Sequence, residues 1–255
     1  MNGQTSRLET TRQIIYALDI ARIVETGTFR GTTTEWFAQF GLPVESVEAH
    51  PRYHAFSAAR LRKKVNVKLY LDSSVAFLKD RVGRTIRDTR QLFYLDAHWE
   101  NYLPLREELE SIFENYRNAI VVIDDFKVED DPGYGFDSYG PDKTLNLDLL
   151  RRCNVPPMFI FYPSTRSDQE TGMRRGWAVI TTNAEMARRL ESIVLLRPPQ
   201  GLTPTGERPV VALPVDVPLV GDRHPRQPEA IDGLVDERDL VIGQGRADDR
   251  VSAVG

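Results

Sequence analysis

The sequence predicts an α/β fold: a mostly parallel sheet of seven strands, an antiparallel hairpin at one edge, and helices on both faces. Three observations predict it. Seven short apolar, β-branched runs occur at 22–28, 44–50, 67–73, 91–97, 119–125, 158–163 and 176–182. The first five are separated by stretches of helical spacing or helix-forming composition at 33–40, 53–64, 74–82 and 103–116, which is the alternation of a parallel sheet. The runs are nearly continuous in apolar residues, as strands covered on both faces must be.

An amphipathic helix at 8–20 precedes the first strand. That strand ends in Glu25, Thr26 and Gly27, with Gly31 four residues on. Gly27 permits a tight turn, and Gly31 lets the next helix start close to the strand. The spacing is neither GxGxxG nor a phosphate loop. Glu25 would repel a phosphate and favour a cationic ligand there; a plain pair of turn glycines accounts for the pattern equally well. The second strand ends in Glu48, an acid able to accept two hydrogen bonds from ribose hydroxyls or to sit solvated in a loop. The third ends in Asp72 and Ser73, placed to contact an adenine or to cap the following helix. Ligands of open α/β sheets bind outside the carboxyl ends of the strands, so three such ends in succession mark one site.

The fourth and fifth runs each finish in acids, Asp96 on one and Asp124 and Asp125 on the other. If the strands are neighbours, the three carboxylates converge and repel unless a cation or protons are present. An all-oxygen set of this kind suits Mg²⁺, Ca²⁺ or Mn²⁺, whereas capping alone accounts poorly for a pair of aspartates after a buried strand. His98, two residues past Asp96, is the histidine beside this cluster; it is a general base, a ligand or a hydrogen-bonding neighbour. Lys127 follows the pair; with a lowered pKa it could act on a substrate proton, although a lysine one strand end away is more often a surface charge. The long glycine-rich loop 130–140, with Tyr134, Phe136 and Tyr139, reads as a lid over an acceptor. The polar stretch 164–175 joins the hairpin strands and lies at the same mouth.

Composition bounds the rest. After Trp177 there is no aromatic residue, and after Lys143 no lysine. The chain therefore divides into an N-terminal helical segment at 1–21, a folded domain at 22–197 and a disordered or loosely packed tail at 198–255. Lys and Arg number 33 against 37 Asp and Glu, which leaves no positive field for a nucleic-acid backbone. A single cysteine, Cys153, excludes an intramolecular disulfide framework and fits a reducing compartment. With no apolar leader in the first residues and no run long enough to span a bilayer, the expectation is a cytoplasmic protein without membrane partners.

The ordered set Glu25, Gly27, Gly31, Glu48, Asp72, Ser73, Asp96, Asp124 and Asp125 resembles a Rossmann-like class I S-adenosylmethionine-dependent methyltransferase. More narrowly it is similar to the metal-dependent O-methyltransferases acting on catechols and macrolide sugars. The run from Leu95 to Trp99, with Tyr102, Leu103 and Pro104, resembles the catechol-enzyme segment, and the resemblance extends over about 22–182. It implies that Glu25, Gly27 and Gly31 surround the methionyl part of S-adenosylmethionine, that Glu48 takes the ribose, and that Asp72 and Ser73 lie near adenine. It further implies that Asp96, Asp124 and Asp125 hold Mg²⁺ or another divalent cation, and that the acceptor is a hydroxylated small molecule, a natural-product sugar or polyphenol. Homo-oligomers are common among such enzymes. Where the catechol enzymes carry a lysine, three residues past the first metal aspartate, this chain has Trp99, which leaves His98 as the substitute base. Two other readings compete. Asp96-Ala97-His98 is similar to part of the ureohydrolase metal motif, although the other segments of that motif are missing. A non-catalytic cofactor-binding protein could also use the same fold.

Overall fold

The computed structural model describes residues 1–80, 88–99 and 102–199, all within one compact unit. The last residues of the helix expected at 74–82, and all but two residues of the expected tail, lie outside the described residues. Eight strands form one sheet: β1 (Arg22–Thr26), β2 (Val44–Glu48), β3 (Val67–Leu71), β4 (Gln91–Leu95), β5 (Ala119–Asp124), β6 (Phe159–Pro163), β7 (Trp177–Thr181) and β8 (Leu196–Arg197). Their spatial order is β3-β2-β1-β4-β5-β7-β6-β8. The five strands from β3 to β5 are parallel. β7 runs antiparallel between β5 and β6. The seven-strand sheet with its edge hairpin is therefore present, and the two-residue β8 adds an eighth strand on the outer edge of β6.

Order reverses between β1 and β4. Connections from β1 lead to β2 and β3 on one side, and the chain returns to place β4 and β5 on the other. The crevice above this reversal, at the carboxyl ends of β1 and β4, is where such sheets bind ligands.

Among the described residues seven α-helices cover the sheet: α1 (Thr5–Ala17), α2 (Thr32–Phe37), α3 (Pro51–Leu61), α4 (Ser74–Asp80), α5 (Leu105–Asn115), α6 (Leu147–Leu150) and α7 (Ala184–Glu191). The two-residue period of a strand sends alternate side chains to opposite faces. On β5, Ile120 and Val122 join Leu92, Tyr94 and Val179 under Ile14 and Ile15 of α1, Phe37 of α2 and Leu190 of α7. Val121 and Ile123 join Val24, Phe93 and Leu95 under α4, α5 and α6. α1 begins three residues earlier than its apolar spacing suggests, because Thr5 and Ser6 are held by Thr171 and Glu170. α7 escaped the sequence pattern. It buries only Met186, Ala187 and Leu190, and its start is fixed by Asn183, whose side chain accepts from the N–H groups of Glu185 and Met186.

Candidate active site

The glycine turn after β1 owes its form to close packing. Gly27 has φ of 84°, and a Cβ there would lie 2.1 Å from the backbone oxygen of Asp96. Only glycine lets the ends of β1 and β4 approach this way. Gly31, at φ of 71°, begins α2, and its missing Cβ leaves room for Ser57 and Leu61 of α3. Glu25 is buried and accepts hydrogen bonds from the hydroxyls of Thr34 and Ser46. Burial pushes its carboxyl up to about 7, against the pull of those two hydroxyls. Glu48 receives the N–H of Phe29 on one carboxylate oxygen at 2.7 Å and of His50 on the other at 2.9 Å. Each oxygen keeps a second lone pair for a ligand hydroxyl. Asp72 accepts from the N–H of Ser73, and the Ser73 hydroxyl accepts from the N–H of Ala76, capping α4. The capping role anticipated for one of this pair thus falls to Ser73.

The acidic ends of β4 and β5 divide in a way the sequence did not foresee. Asp124 is the last residue of β5 and shares the face of Ile120 and Val122, which is the face α1 covers. There its carboxylate meets Arg7 of α1 in a fully buried ion pair. The Tyr94 hydroxyl donates to its other oxygen at 2.6 Å, and the Asn2 amide and the Asp125 N–H donate to the oxygen that Arg7 holds. Burial opposes ionisation, but the Arg7 guanidinium wins and holds Asp124 well below the ordinary carboxylate range. Arg7 also donates to the backbone oxygens of Arg175 and Gly176, which ties α1 to the start of β7.

Asp125 lies one residue past the strand in a left-handed conformation, φ 53°, and turns the other way. Asp96, His98 and Asp125 offer ligand atoms all within 4.8 Å of one another. The sequence grouped Asp96, Asp124 and Asp125 as the metal set; in the structure His98 takes the third place and Asp124 is engaged by Arg7. His98 Nε2 stands 3.8 Å from Asp96 Oδ1 and 3.5 Å from both Asp125 Oδ2 and Asp137 Oδ2. Burial would lower the imidazole, but the carboxylates of Asp125, Asp96 and Asp124 outweigh it and raise it to about 9. Partial burial and the charges of Asp124 and Asp125 push Asp96 above its ordinary value. A divalent cation would relieve both costs. His98 is 8% exposed, and its Nε2 is enclosed among the carboxylates of Asp96, Asp125 and Asp137. These donors fit a metal ion.

The loop after β5 is pinned rather than free to swing. Tyr134 is buried, and its hydroxyl donates to the Thr165 carbonyl and to Glu170. Gly135 pairs with the backbone at Arg174 and Gly176, and Asp137 N–H donates to Asp125. Arg175 grips Asp125 and Asp137 together. Of the three loop aromatics, Phe136 is the exposed one, beside the Lys127 ammonium. The stretch 164–175 meets this loop at Thr165 and through Arg166, which faces Asp131. Four contributors were missed in the sequence: Arg7, Tyr94, Asp137 and Arg175. For Arg7 there was a signal. It falls on the stripe Arg7, Thr10, Thr11, Ile14 and Ile15, and a cation on a buried helix face requires a buried counter-charge.

No protein-family model and no curated protein matches the chain. Solved structures do. A presumed O-methyltransferase from Klebsiella pneumoniae superposes with a TM-score of 0.50 at 15% identity, over 71% of this chain and 81% of that one. The O-methyltransferase TomG of Streptomyces achromogenes, involved in tomaymycin synthesis, gives 0.47 at 18% identity, over 69% and 80% of the two chains. An O-methyltransferase from Bacillus cereus gives 0.46 at 16%, over 69% and 78%. The Klebsiella likeness shows the fold, and the described residues have the class I methyltransferase fold. Asp96, His98 and Asp125, at its strand ends, form a candidate metal-ligand triad. Among the described residues no helix is long and apolar enough to cross a membrane.

Proposed function

We propose that the protein is an S-adenosylmethionine-dependent methyltransferase that uses a divalent cation to methylate a hydroxyl oxygen of a small molecule. One observation carries the reading: Glu25, Glu48, Asp72 and the cluster Asp96, His98 and Asp125 stand at successive strand ends around the reversal of the sheet. When bound, S-adenosylmethionine supplies a methyl group on a sulfonium, and a divalent cation supplies Lewis acidity toward an acceptor hydroxyl.

The chain's own residues do the rest by placement. Glu48 receives the ribose hydroxyls on the lone pairs its two backbone donors leave free. Glu25, Gly27 and Gly31 shape the turn that faces the methionyl group, and the negative charge beneath it favours a cationic cofactor. Asp72 and Ser73 stand at the adenine side. Asp96, His98 and Asp125 hold the cation, and His98 is thereby a ligand rather than a free base. The pinned loop 130–140 and the 164–175 stretch wall the acceptor from water.

Calorimetric titration of the full chain with S-adenosylmethionine tests this directly. Micromolar binding is expected, followed by cation-dependent addition of a methyl group to hydroxylated acceptors, read by mass. A folded sample that binds neither S-adenosylmethionine nor its demethylated product ends the proposal.

A further inference from the structure

The surface between β2 and β3 is one-sided in its chemistry. From Ala49 to Leu71 the sequence has six Lys and Arg and no Asp or Glu, in a chain whose net charge is -4. α3 buries only Ser57 and Leu61, which seat against Gly31. The helical period turns Arg52, Phe56 and Ala59 away from that contact, and Arg62 and Lys63 follow on the same outer side. Phe56 is 52% exposed, and Val65, in the turn to β3, is fully exposed. Arg60 and Lys64 share the carboxylate of Glu35, whereas Arg62 reaches only the carbonyl of Ala59. Among the described residues no acid pairs with Arg52, Arg62 or Lys63. From 49 to 65 every exposed side chain is cationic, imidazole or apolar; none carries a hydroxyl, an amide or a carboxylate.

That composition discriminates among anionic partners. Nucleic-acid backbones are gripped by hydroxyl and amide side chains as well as by cations. Protein partners exchange roughly one hydrogen bond per 100–200 Å² of contact. This face has no hydroxyl or amide side chain to give to either. A bilayer surface asks for what the face does have: cations for the anionic headgroups, and apolar side chains for the boundary beneath them. Contact of this kind needs no spanning segment, so the lack of long apolar runs does not bear on it. Because the chain as a whole is acidic, its other faces are repelled and the approach is oriented.

We infer that the outer face of α3 and the turn after it dock on an anionic bilayer surface, with Arg52, Arg62 and Lys63 on the headgroups and Phe56 and Val65 at the boundary below. This goes beyond the proposed function and does not depend on it.

The full-length chain is sedimented with vesicles of phosphatidylcholine alone, and with vesicles of phosphatidylcholine and phosphatidylserine in equal parts. Binding to the mixed vesicles is expected, reversed by high salt, with little on the neutral ones. Each cation at such a surface is worth roughly fivefold in binding, so Arg62→Glu together with Lys63→Glu should weaken it by about 25-fold or more. Phe56→Ser together with Val65→Ser is expected to weaken it severalfold while leaving its salt dependence in place. Both pairs are exposed, so the variants keep the fold, which circular dichroism checks. Equal binding to the two kinds of vesicle would overturn the inference, as would no binding to the mixed ones. Either double variant sedimenting as wild type does would overturn it too. Tighter binding to single-stranded DNA at matched phosphate concentration would also overturn it, in favour of a nucleic-acid partner. Titration with S-adenosylhomocysteine in the absence of vesicles reads the methyltransferase assignment separately.

Discussion

Two side chains at the carboxyl end of the sheet carry charges that water would hold more cheaply, and each makes a measurable demand. Arg7 and Asp124 are both buried and satisfy one another. Removing one partner leaves the other uncompensated, so Arg7→Met should destabilise the chain by about 3–5 kcal/mol in urea unfolding. Adding Asp124→Leu to it should recover most of that loss, as expected for a pair whose worth is mutual. Glu25 poses the opposite case. Its carboxyl is raised from an ordinary 4.5 to about 7, so between those values the folded state holds a proton that the unfolded chain releases. Stability from this residue is full below the lower value and is lost as pH rises through about 7, on the order of 3 kcal/mol in all. Glu25→Gln should therefore melt at a similar temperature to wild type near pH 5 and above it near pH 8, and parallel melting curves at both would disprove the raised carboxyl. At this scale the sequence was legible wherever chemistry and strand end coincide. It located Glu25, Glu48, Asp72, Asp96 and His98, but the identity of an acid says nothing about which face of a strand it occupies. Asp124 and Asp125 look interchangeable in sequence and are separated by one pleat.

Elements with long apolar runs were easy to read because burial on both faces writes itself into every residue, as in Ile120 to Ile123 of β5. Elements that bury little were not. α7 contributes three residues to the core and depends on its cap. Asn183→Ala should cost about 1 kcal/mol in thermal or urea unfolding and leave S-adenosylhomocysteine affinity unchanged, since α7 is remote in the fold from the strand ends β1 and β4. The loop 130–140 was read as a lid from its glycines and aromatics. Its Tyr134 and Asp137 are anchors instead, and no local pattern reveals a partner some 30 to 40 residues away, at Glu170 or Arg175.

For the molecule as a whole, the compositional break at Arg197 coincides with the last strand among the described residues. β8 pairs with the outer edge of β6, buries Leu196, and anchors Arg197 on Asp130 at 2.6 and 2.7 Å. A chain ending at Pro199 should unfold with the midpoint of the full protein. One ending at Val194 should melt lower by more than about 4 °C and associate through the uncovered edge of β6, which light scattering would detect. The Arg7 ion pair also bears on how the protein is made. Arg7 precedes Asp124 by 117 residues and Gly176 by 169. At a synthesis rate of about 5–20 residues per second, roughly 6–23 s pass between translation of the arginine and of its counter-charge. During that interval the first helix carries a guanidinium on the side it must bury and has nothing to receive it. This helix leaves the ribosome well before the strands it covers and is among the last elements to dock, and the strand ends beneath it stay open until β5 and β7 have emerged.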